Sequence, residues 1–294
     1  MGVKASLAER APKLQSPNMN PARSLLVAAI VALASPAGAV TRGEVTRDPN
    51  GVRQSVVRVE SSRGELCSGA LIAPNLVLTA AHCVIEEASY RVVAVDRNFR
   101  PLRLRAIAAA MHPEFVPGTT PRTQPGVDLA ILKLERPLGP DFTPLPPRDA
   151  NRVAAGDMVL LAGYGVVAEG QKKTARTLRQ TTLVSLGTMQ VMNRVLVVVD
   201  HEFRAERPGA GACRGDSGGP ILQLESGGYR LLGIVSWSSG ALAASELSAC
   251  GGLTAVTPVA DHARWIQEGV ASLGEFASVR APRRRVLEGH WAKR

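Results

Sequence analysis

One short segment in the last third of the chain combines residue types that could carry out covalent chemistry. CRGDSGGP, residues 213–220, places a serine between an aspartate and two glycines. A serine hydroxyl becomes a useful nucleophile when a base takes its proton and N–H groups stabilise the oxyanion that forms. The segment predicts either a nucleophilic Ser217 or a glycine-rich turn that contains a hydroxyl. Residues 215–219 also match the G-x-S-x-G pattern of a nucleophile elbow in an α/β-hydrolase.

A histidine and an aspartate elsewhere in the chain could complete such a site. His82 lies in LTAAHC after an apolar run, where a lone histidine would otherwise be a packed core residue. Asp128 opens the apolar run DLAILKL, and a carboxylate there is expected to be buried and to need a partner. Its alternative is a turn or capping role. An α/β-hydrolase orders its triad serine, acid, histidine, so its base would be His262 or His290.

The elements that would position these side chains are mostly short β-strands. Runs of β-type residues, separated by Gly, Pro and Asn, occupy 55–60, 70–80, 90–95, 102–110, 158–167, 177–186, 194–199 and 229–237. Many short runs without interleaved helical periodicity predict an all-β barrel or sandwich. Residues 258–273 have helical spacing and predict one C-terminal helix. The five prolines of residues 136–150 predict an extended linker between two β units.

The two ends of the chain differ in composition from the region between them. Residues 24–39 form an apolar run that ends in Ala-Gly-Ala, which predicts a signal peptide cleaved after Ala39. Residues 1–18 are then either a long n-region or sequence upstream of a start at Met19. Residues 274–294 predict a solvated basic tail, whose alternative role is weak contact with an anionic surface such as a cell envelope.

Charge and cysteine content limit the class of protein. The net charge of the 294 residues is +10, but only +3 of it falls on residues 40–273, so nucleic-acid binding is not expected. Export permits disulfides, and four cysteines allow three pairings. Their spacing contains no C-x-x-C pattern, so we expect no metal site and no cofactor. The four are Cys67, Cys83, Cys213 and Cys250.

Three of these segments together resemble one enzyme family. LTAAHC, DLAILKL and CRGDSGGP occur in the order found in the trypsin/chymotrypsin-like serine peptidases, and the chain resembles this family over about residues 40–273. The resemblance implies two antiparallel six-stranded β-barrels with a C-terminal α-helix. Barrel one would cover about 40–135, and barrel two with the helix would cover 151–273. The expected partners are protein or peptide substrates and protein inhibitors. The expected assembly is a monomer.

The resemblance implies a role for each residue of the candidate site. Ser217 would attack the scissile carbonyl, with His82 as general base and then general acid, and Asp128 would orient His82. The backbone N–H groups of Gly215 and Ser217 would bind the oxyanion, and a glycine suits position 215 because the turn must expose its amide. This is the mechanism of the family, carried over to these positions.

The resemblance also implies two disulfides and an activation step. The disulfides would join Cys67 to Cys83 and Cys213 to Cys250. In the family a free N-terminal Ile or Val pairs with the aspartate before the nucleophile, which is Asp216 here. Signal cleavage would expose Val40, which lies 27 residues before Cys67, close to the distance that the family uses. The usual Ile-Val-Gly-Gly is replaced by Val-Thr-Arg-Gly, and signal peptidase itself would make the active N-terminus.

Further residues would line the pocket for the substrate side chain. Gly211 would lie at its base, and because no carboxylate stands there, cleavage after Lys or Arg is not expected. One wall, which also binds the substrate backbone, would be formed by Ser236, Trp237 and Ser238. The residue of the facing wall, counted back from the segment TPVADHARWI, is Thr254, or Gly252 if the alignment with the family shifts. Ser238 and Thr254 together would narrow the pocket to small or medium apolar side chains.

The sequence therefore predicts a serine endopeptidase that is secreted or periplasmic and cleaves after small or medium apolar residues. The alternative from another class is a non-catalytic member of the same family that only binds a partner.

Overall fold

The computed structural model describes residues 40–48, 50–85, 87–147, 153–243 and 248–275. The signal peptide expected over 1–39, residues 148–150 of the expected linker and residues 276–294 of the basic tail expected over 274–294 lie outside the described residues. Residues 274 and 275, expected in the tail, belong to the C-terminal helix instead. Among the helices that are described, none has the length and apolar composition needed to span a bilayer.

After a two-residue strand β1 (Glu44–Val45), six antiparallel strands close into a first barrel. They are β2 (Val56–Ser61), β3 (Leu66–Ala73), β4 (Leu76–Thr79), β5 (Tyr90–Val95), β6 (Pro101–Met111) and β7 (Ala130–Leu134). Their order around the barrel is β2-β3-β4-β7-β6-β5. The single strand expected over 70–80 is wrong, because a turn at Pro74 and Asn75 separates β3 from β4. Proline has no N–H to donate to a strand ladder, which favours a turn at this point.

The second half of the chain closes another six-stranded antiparallel barrel. Its strands are β8 (Met158–Gly163), β9 (Arg179–Gln190), β10 (Arg194–Val199), β11 (Pro220–Glu225), β12 (Gly228–Ser238) and β13 (Thr254–Pro258). They follow the order β8-β9-β10-β13-β12-β11, with β11 pairing β8 to close the ring. Residues 40–45, expected in barrel one, join the second barrel instead: Val40 is buried in its core and Glu44 pairs with Gln180 of β9.

Aliphatic side chains fill both barrels. Leu71, Leu78 and Leu132 are fully buried in the first, and Leu161 and Leu183 in the second. Burying a side chain of this size stabilises the fold by about 1.5–3 kcal/mol. With aromatic residues at 4% of the chain, this aliphatic packing carries the core.

A single α-helix follows the last strand. A 3-10 turn, Ala260–His262, leads into α1 (Ala263–Glu275), which buries Ile266. A Cβ atom at Gly269 would lie 2.6 Å from Cδ1 of Ile131 on β7, so glycine allows the helix to lie close against the first barrel. The buried Lys133 of β7 donates a hydrogen bond to the carbonyl of Leu273. The predicted architecture of two six-stranded antiparallel barrels with a C-terminal helix is confirmed.

Candidate active site

The pairing of two strands in the first barrel brings His82 and Asp128 together. His82 lies in a 3-10 turn, Ala81–Cys83, that follows β4, and Asp128 lies just before β7. Because β4 and β7 are antiparallel, with Thr79 opposite Ala130, the residues that follow β4 lie beside those that precede β7.

A network of short hydrogen bonds holds these two side chains. Nδ1 of His82 lies 2.8 Å from Oδ2 of Asp128, and the backbone N–H of His82 donates to Oδ1 at 3.0 Å. Oγ of Ser236 donates to Oδ2 at 2.6 Å. Burial alone would raise the pKa of Asp128, but His82 and the hydrogen bond from Ser236 outweigh it and hold the pKa below its ordinary value. A proton on Nδ1 bonded to this carboxylate leaves Nε2 as the basic nitrogen.

The segment of residues 213–219, here called the Ser217 loop, lies against the end of β4. The carbonyl of Ser217 accepts a hydrogen bond from the N–H of Ser68 at 2.8 Å. Gly218 has φ of 79°, and a Cβ atom there would collide with Oγ1 of Thr79, so only glycine fits this contact. Ser217 is therefore held next to the turn that carries His82.

The hydroxyl of Ser217 and the histidine are not yet bonded in this state. Among the described residues, no hydrogen bond joins Oγ of Ser217 to Nε2 of His82, and Nε2 lies 3.7 Å from Sγ of Cys83. Hydrogen bonds of this kind are commonly long or poorly aligned in a free enzyme and shorten when a substrate binds.

The backbone N–H groups of Gly215 and Ser217 are available to a ligand. Within the described part of the chain, neither group donates a hydrogen bond. The carbonyl of Arg214 accepts from the N–H of Val166 at 2.9 Å. Since a trans peptide points its C=O and N–H in opposite directions, this bond aims the N–H of Gly215 away from Val166. Gly215 has φ of 94°, which favours glycine.

Asp216, directly before Ser217, is fully buried. It accepts hydrogen bonds from the N–H groups of Gly165 at 2.8 Å and Cys213 at 3.0 Å. Burial raises the pKa of Asp216 to about 7, against the lowering effect of these bonds and of Arg179. No basic side chain in the described ranges forms an ion pair with it.

The expected specificity residues lie together beside the Ser217 loop. Ser238 of β12 is directly opposite Thr254 of β13, so their side chains share one face. A Cβ atom at Gly211 would lie 3.5 Å from Oγ1 of Thr254 and 3.4 Å from the carbonyl of Gly252. Oγ1 of Thr254 also accepts the N–H of Ala212 at 3.0 Å. Thr254 therefore lies next to Gly211, while Gly252 presents only backbone there.

Two disulfides fasten these loops. Cys67 is bonded to Cys83 and Cys213 to Cys250, which are the pairs that the resemblance implies. Cys67, Cys83 and His82 lie close enough to suggest a metal cluster. The two sulfurs are bonded to each other, so they provide no thiolate ligand.

Ser68, which follows Cys67 on β3, was not predicted as a residue of the site. Its Oγ donates to the carbonyl of Gly215 at 2.9 Å and accepts from the N–H of Tyr164 at 2.9 Å. Ser68 thus joins the first barrel to the Ser217 loop and to the end of β8. Its place directly after a cysteine that tethers His82 is the one signal that could have pointed to it.

The α/β-hydrolase alternative is wrong for this chain. Ser217 follows no parallel strand, and the described strand pairs are all antiparallel. The ring of His262 packs 5.0 Å from that of His112, in the turn that precedes α1. His290, the other candidate base, lies outside the described residues.

Known proteins are similar to this chain in sequence and in fold. Phenoloxidase-activating factor 3 of Holotrichia diomphalia is 29% identical over 239 residues, which is 69% of this chain and 64% of that protein. Serine protease 56 of Mus musculus is 29% identical over 240 residues, 76% of this chain and 38% of that protein. The chain thus spans less than two thirds of the length of either relative.

The solved structure of human heparin binding protein is similar in fold. It is 23% identical with a TM-score of 0.59, and the match covers 82% of this chain and 99% of that one. The model of the trypsin family matches residues 42–266, which include both barrels and the start of α1. This match spans the segments around His82, Asp128 and Ser217, and the chain belongs to the trypsin family of serine proteases.

Proposed function

We propose that this protein is an active serine endopeptidase in which Ser217, His82 and Asp128 form the catalytic triad. The observation that carries the proposal is the buried carboxylate of Asp128, which is bonded to Nδ1 of His82 at 2.8 Å and to Ser236 at 2.6 Å. A carboxylate in this environment keeps the proton on Nδ1 and stabilises the imidazolium that forms during acyl transfer.

Acylation uses groups on both barrels. Oγ of Ser217 attacks the substrate carbonyl carbon, its proton passes to Nε2 of His82, and the carbonyl oxygen becomes an oxyanion. The free N–H groups of Gly215 and Ser217 stabilise that charge. His82 then returns the proton to the leaving amine as the C–N bond breaks, which leaves an acyl-enzyme on Ser217.

Deacylation repeats the sequence with water as the nucleophile. His82 takes a proton from water, the hydroxide attacks the acyl carbonyl, and a second oxyanion forms in the same hole. The proton returns to Oγ of Ser217 as the ester bond breaks, and the carboxylic acid product leaves.

Labelling by a fluorophosphonate probe tests the proposed function directly. The wild type should form a covalent adduct on Ser217, and the Ser217→Ala variant should form none. Ser185, a buried serine on β9 of the second barrel, provides a matched control. Ser185→Ala should label like the wild type. A folded wild type that stays unlabelled would contradict the proposal.

The pocket supports a preference for small or medium apolar side chains before the scissile bond. Gly211 offers no carboxylate for Lys or Arg, and the Thr254 side chain fills space next to it. An apolar pocket discriminates by only about 1–3 kcal/mol per methylene, so the preference should be graded. In a positional peptide library, Ala and Val should be cleaved faster than Arg and Phe at this position. Faster cleavage after Arg than after Ala or Val would contradict this part of the proposal.

We also propose export and activation by one cleavage, before Val40. Val40 is fully buried in the second barrel, in one apolar cluster with Ala210 and Ala212, and Thr41 pairs with Gly211 between them. A free ammonium at Val40 would supply the cation that buried Asp216 lacks. N-terminal sequencing of the active protein should find Val40 first, and any other start would exclude this route.

A second candidate function is a non-catalytic member of the family that binds a partner. The observation that favours it is the missing hydrogen bond between Ser217 and His82. The labelling experiment separates the two candidates, because a binding protein without a competent triad forms no adduct.

A further inference from the structure

The loop between β6 and β7, residues 112–129, is organised around one buried glutamine. Gln124 is 1% exposed, and its Oε1 accepts the N–H groups of Val116 and Gly126. Its Nε2 donates to the carbonyl of Val116 at 3.0 Å and to Oγ1 of Thr119 at 2.8 Å. A buried amide with all of these bonds made holds the loop in one conformation.

The same loop is also fastened to the second barrel. Nδ2 of Asn193, in the turn between β9 and β10, donates to the carbonyl of Gly126 at 2.6 Å. Asn193 is 9% exposed, so this bond is shielded from water. The loop therefore has attachments on both barrels and presents its remaining side chains at defined places.

Arg122, two residues before that glutamine, reaches across to the substrate-binding segment. One of its guanidinium nitrogens, Nη2, donates to the carbonyl of Ser238 at 2.5 Å and lies 3.5 Å from a second acceptor, the carbonyl of Ser248. The carbon at the centre of the guanidinium lies 5.8 Å from the centre of the Trp237 ring. Arg122 is exposed and forms no ion pair with any described residue, so its charge is available to a ligand.

The strand under Arg122 has an open edge. Ser239 exchanges hydrogen bonds with the β13 side, donating to Leu253 and accepting from Gly252, so the N–H and C=O of Ser238 point to the opposite edge. β11 pairs with β12 no further than Ile234. Beyond it, no described strand covers the edge from Ser236 to Ser238. An extended peptide can add to an edge of this kind.

The register of such a peptide places its side chains relative to Arg122. Val235 accepts the N–H of Gly218, so Ser236 is the edge residue nearer to Ser217. The residue before the scissile bond would then pair with Ser236, and the third residue before it would pair with Ser238. The second residue is then opposite Trp237. Because side chains alternate along a strand, the second and fourth residues before the scissile bond share the face of Trp237 and Arg122.

We propose that Arg122 is a specificity-determining residue that selects an acidic side chain at the second or fourth residue before the scissile bond. When a peptide takes the carbonyl of Ser238, the guanidinium loses that acceptor and pairs with the carboxylate of the substrate instead. The forked donor geometry of arginine suits this exchange. The inference rests on the proposed function, since it concerns the substrates of the same site.

Cleavage of a matched peptide series tests the inference. The mature protein, cut before Val40, is assayed with quenched peptides that share Ala before the scissile bond and carry Asp, Ala or Lys at the second, third or fourth position before it. At the second or fourth position, Asp should raise kcat/KM about threefold to fivefold over Ala, as expected for a partly exposed ion pair. The third position should show little difference. The preference should shrink at about 1 M salt, where charges are screened within about 3 Å.

Substitutions at Arg122 distinguish recognition from blocking. Arg122→Gln should abolish the preference for Asp, and Arg122→Glu should reverse it in favour of Lys. Arg103→Glu, an exposed change near the start of β6, serves as the charge-matched control and should keep the wild-type preference. If Arg122→Gln raises the cleavage of all peptides equally, Arg122 only blocks the edge and the inference is wrong.

The remaining outcomes separate this inference from the proposed function. If neutral peptides are cleaved and Ser217 is labelled, but Asp and Lys are cleaved equally, the role of Arg122 is overturned and the peptidase activity stands. If no peptide is cleaved and no label is attached, the proposed function fails, and the inference about its substrates fails with it.

Discussion

At the scale of single residues, the site depends on one buried charge and the groups that bond to it. Asp128 has no exposed surface, and its two oxygens accept three hydrogen bonds, two from His82 and one from Ser236. A buried carboxylate that loses a donor retains its desolvation cost, so each donor contributes more than it would in water. In the proposed mechanism Ser236 is therefore a positioning residue that acts through Asp128.

Removing the Ser236 hydroxyl should weaken catalysis more than folding. A hydrogen bond to a charged group contributes about 1.5–3 kcal/mol, and about 1.4 kcal/mol corresponds to tenfold in rate or affinity. Ser236→Ala should lower kcat/KM about tenfold or more while KM changes little. Ser185→Ala, at an equally buried serine whose hydroxyl accepts only the N–H of Gly187, should leave kcat/KM unchanged. Wild-type kcat/KM for Ser236→Ala would contradict the role of this bond.

The contact of Gly218 with the end of β4 leads to a second prediction at this scale. Ala at position 218 would require a positive φ and would collide with Oγ1 of Thr79 and the carbonyl of Ser68. Gly218→Ala should abolish labelling of Ser217 and lower the urea midpoint of unfolding. Gly227→Ala, at a hairpin glycine with open space around its Cβ position, should change neither. Normal labelling of the Gly218 variant would show that the loop tolerates displacement.

At the scale of elements, the start of α1 packs on the first barrel through a pair of histidines. His112, at the end of β6, is 7% exposed, and its ring lies 5.0 Å from that of His262 and 4.8 Å from that of Trp265. Burial and the nearby His262 lower the pKa of His112 to about 4, and Glu114 opposes this only weakly. The packing of the helix therefore requires a neutral imidazole.

Acid should loosen this contact. Because the unfolded chain binds a proton on His112 at about pH 6.5 and the folded protein only near pH 4, the contribution of His112 to the free energy of unfolding should fall as the pH drops through this window. His112→Gln keeps an acceptor for the N–H of Glu114 and should flatten that fall in urea titrations. His201→Gln, at an exposed histidine, should retain it. Parallel pH profiles for both variants would exclude His112 as the cause.

At the scale of the whole molecule, the N-terminal segment packs in the second barrel beside the residues that precede the Ser217 loop. Residues 40–45 leave the first half of the chain to pack beside β9 and the segment that contains Gly211. Asp216, buried nearby, has a pKa raised to about 7. Cleavage before Val40 would change the charge balance of this region without changing the barrels.

Processing should therefore alter how stability depends on pH. In the uncut chain the folded protein holds a proton on Asp216 that the unfolded chain releases above about pH 4, so the contribution of Asp216 to the free energy of unfolding should fall as the pH rises from about 4 to about 7. An ammonium at Val40 would favour the charged carboxylate and remove this fall. Urea midpoints of the uncut chain and of the chain cut before Val40 should diverge with rising pH, and Asp216→Asn should flatten the uncut profile. Profiles that stay parallel would argue against an ion pair at Val40.

The sequence alone determined the family, the all-β class and the residues around Ser217, His82 and Asp128. It could do so because each of these segments combines residue types that acyl transfer requires, and such local patterns are visible without any contact. Most of the strands could be predicted to exist because they contain runs of β-branched residues. The boundaries of the strands were predicted less well: the turn at Pro74 and Asn75 was overlooked, and the short strands β1, β7, β11 and β13 were not among the predicted strands.

Only the tertiary structure decided which distant residues meet. Closing the first barrel sets Thr79 opposite Ala130 and so brings His82 to Asp128. Packing of the two barrels adds Ser68 and Ser236, whose hydroxyls have no distinguishing sequence pattern. Arg122 is an ordinary surface arginine until the loop built on Gln124 holds it above Trp237. These contacts join residues far apart in the chain, and their geometry comes from strand register and loop attachment, which residue types by themselves do not encode.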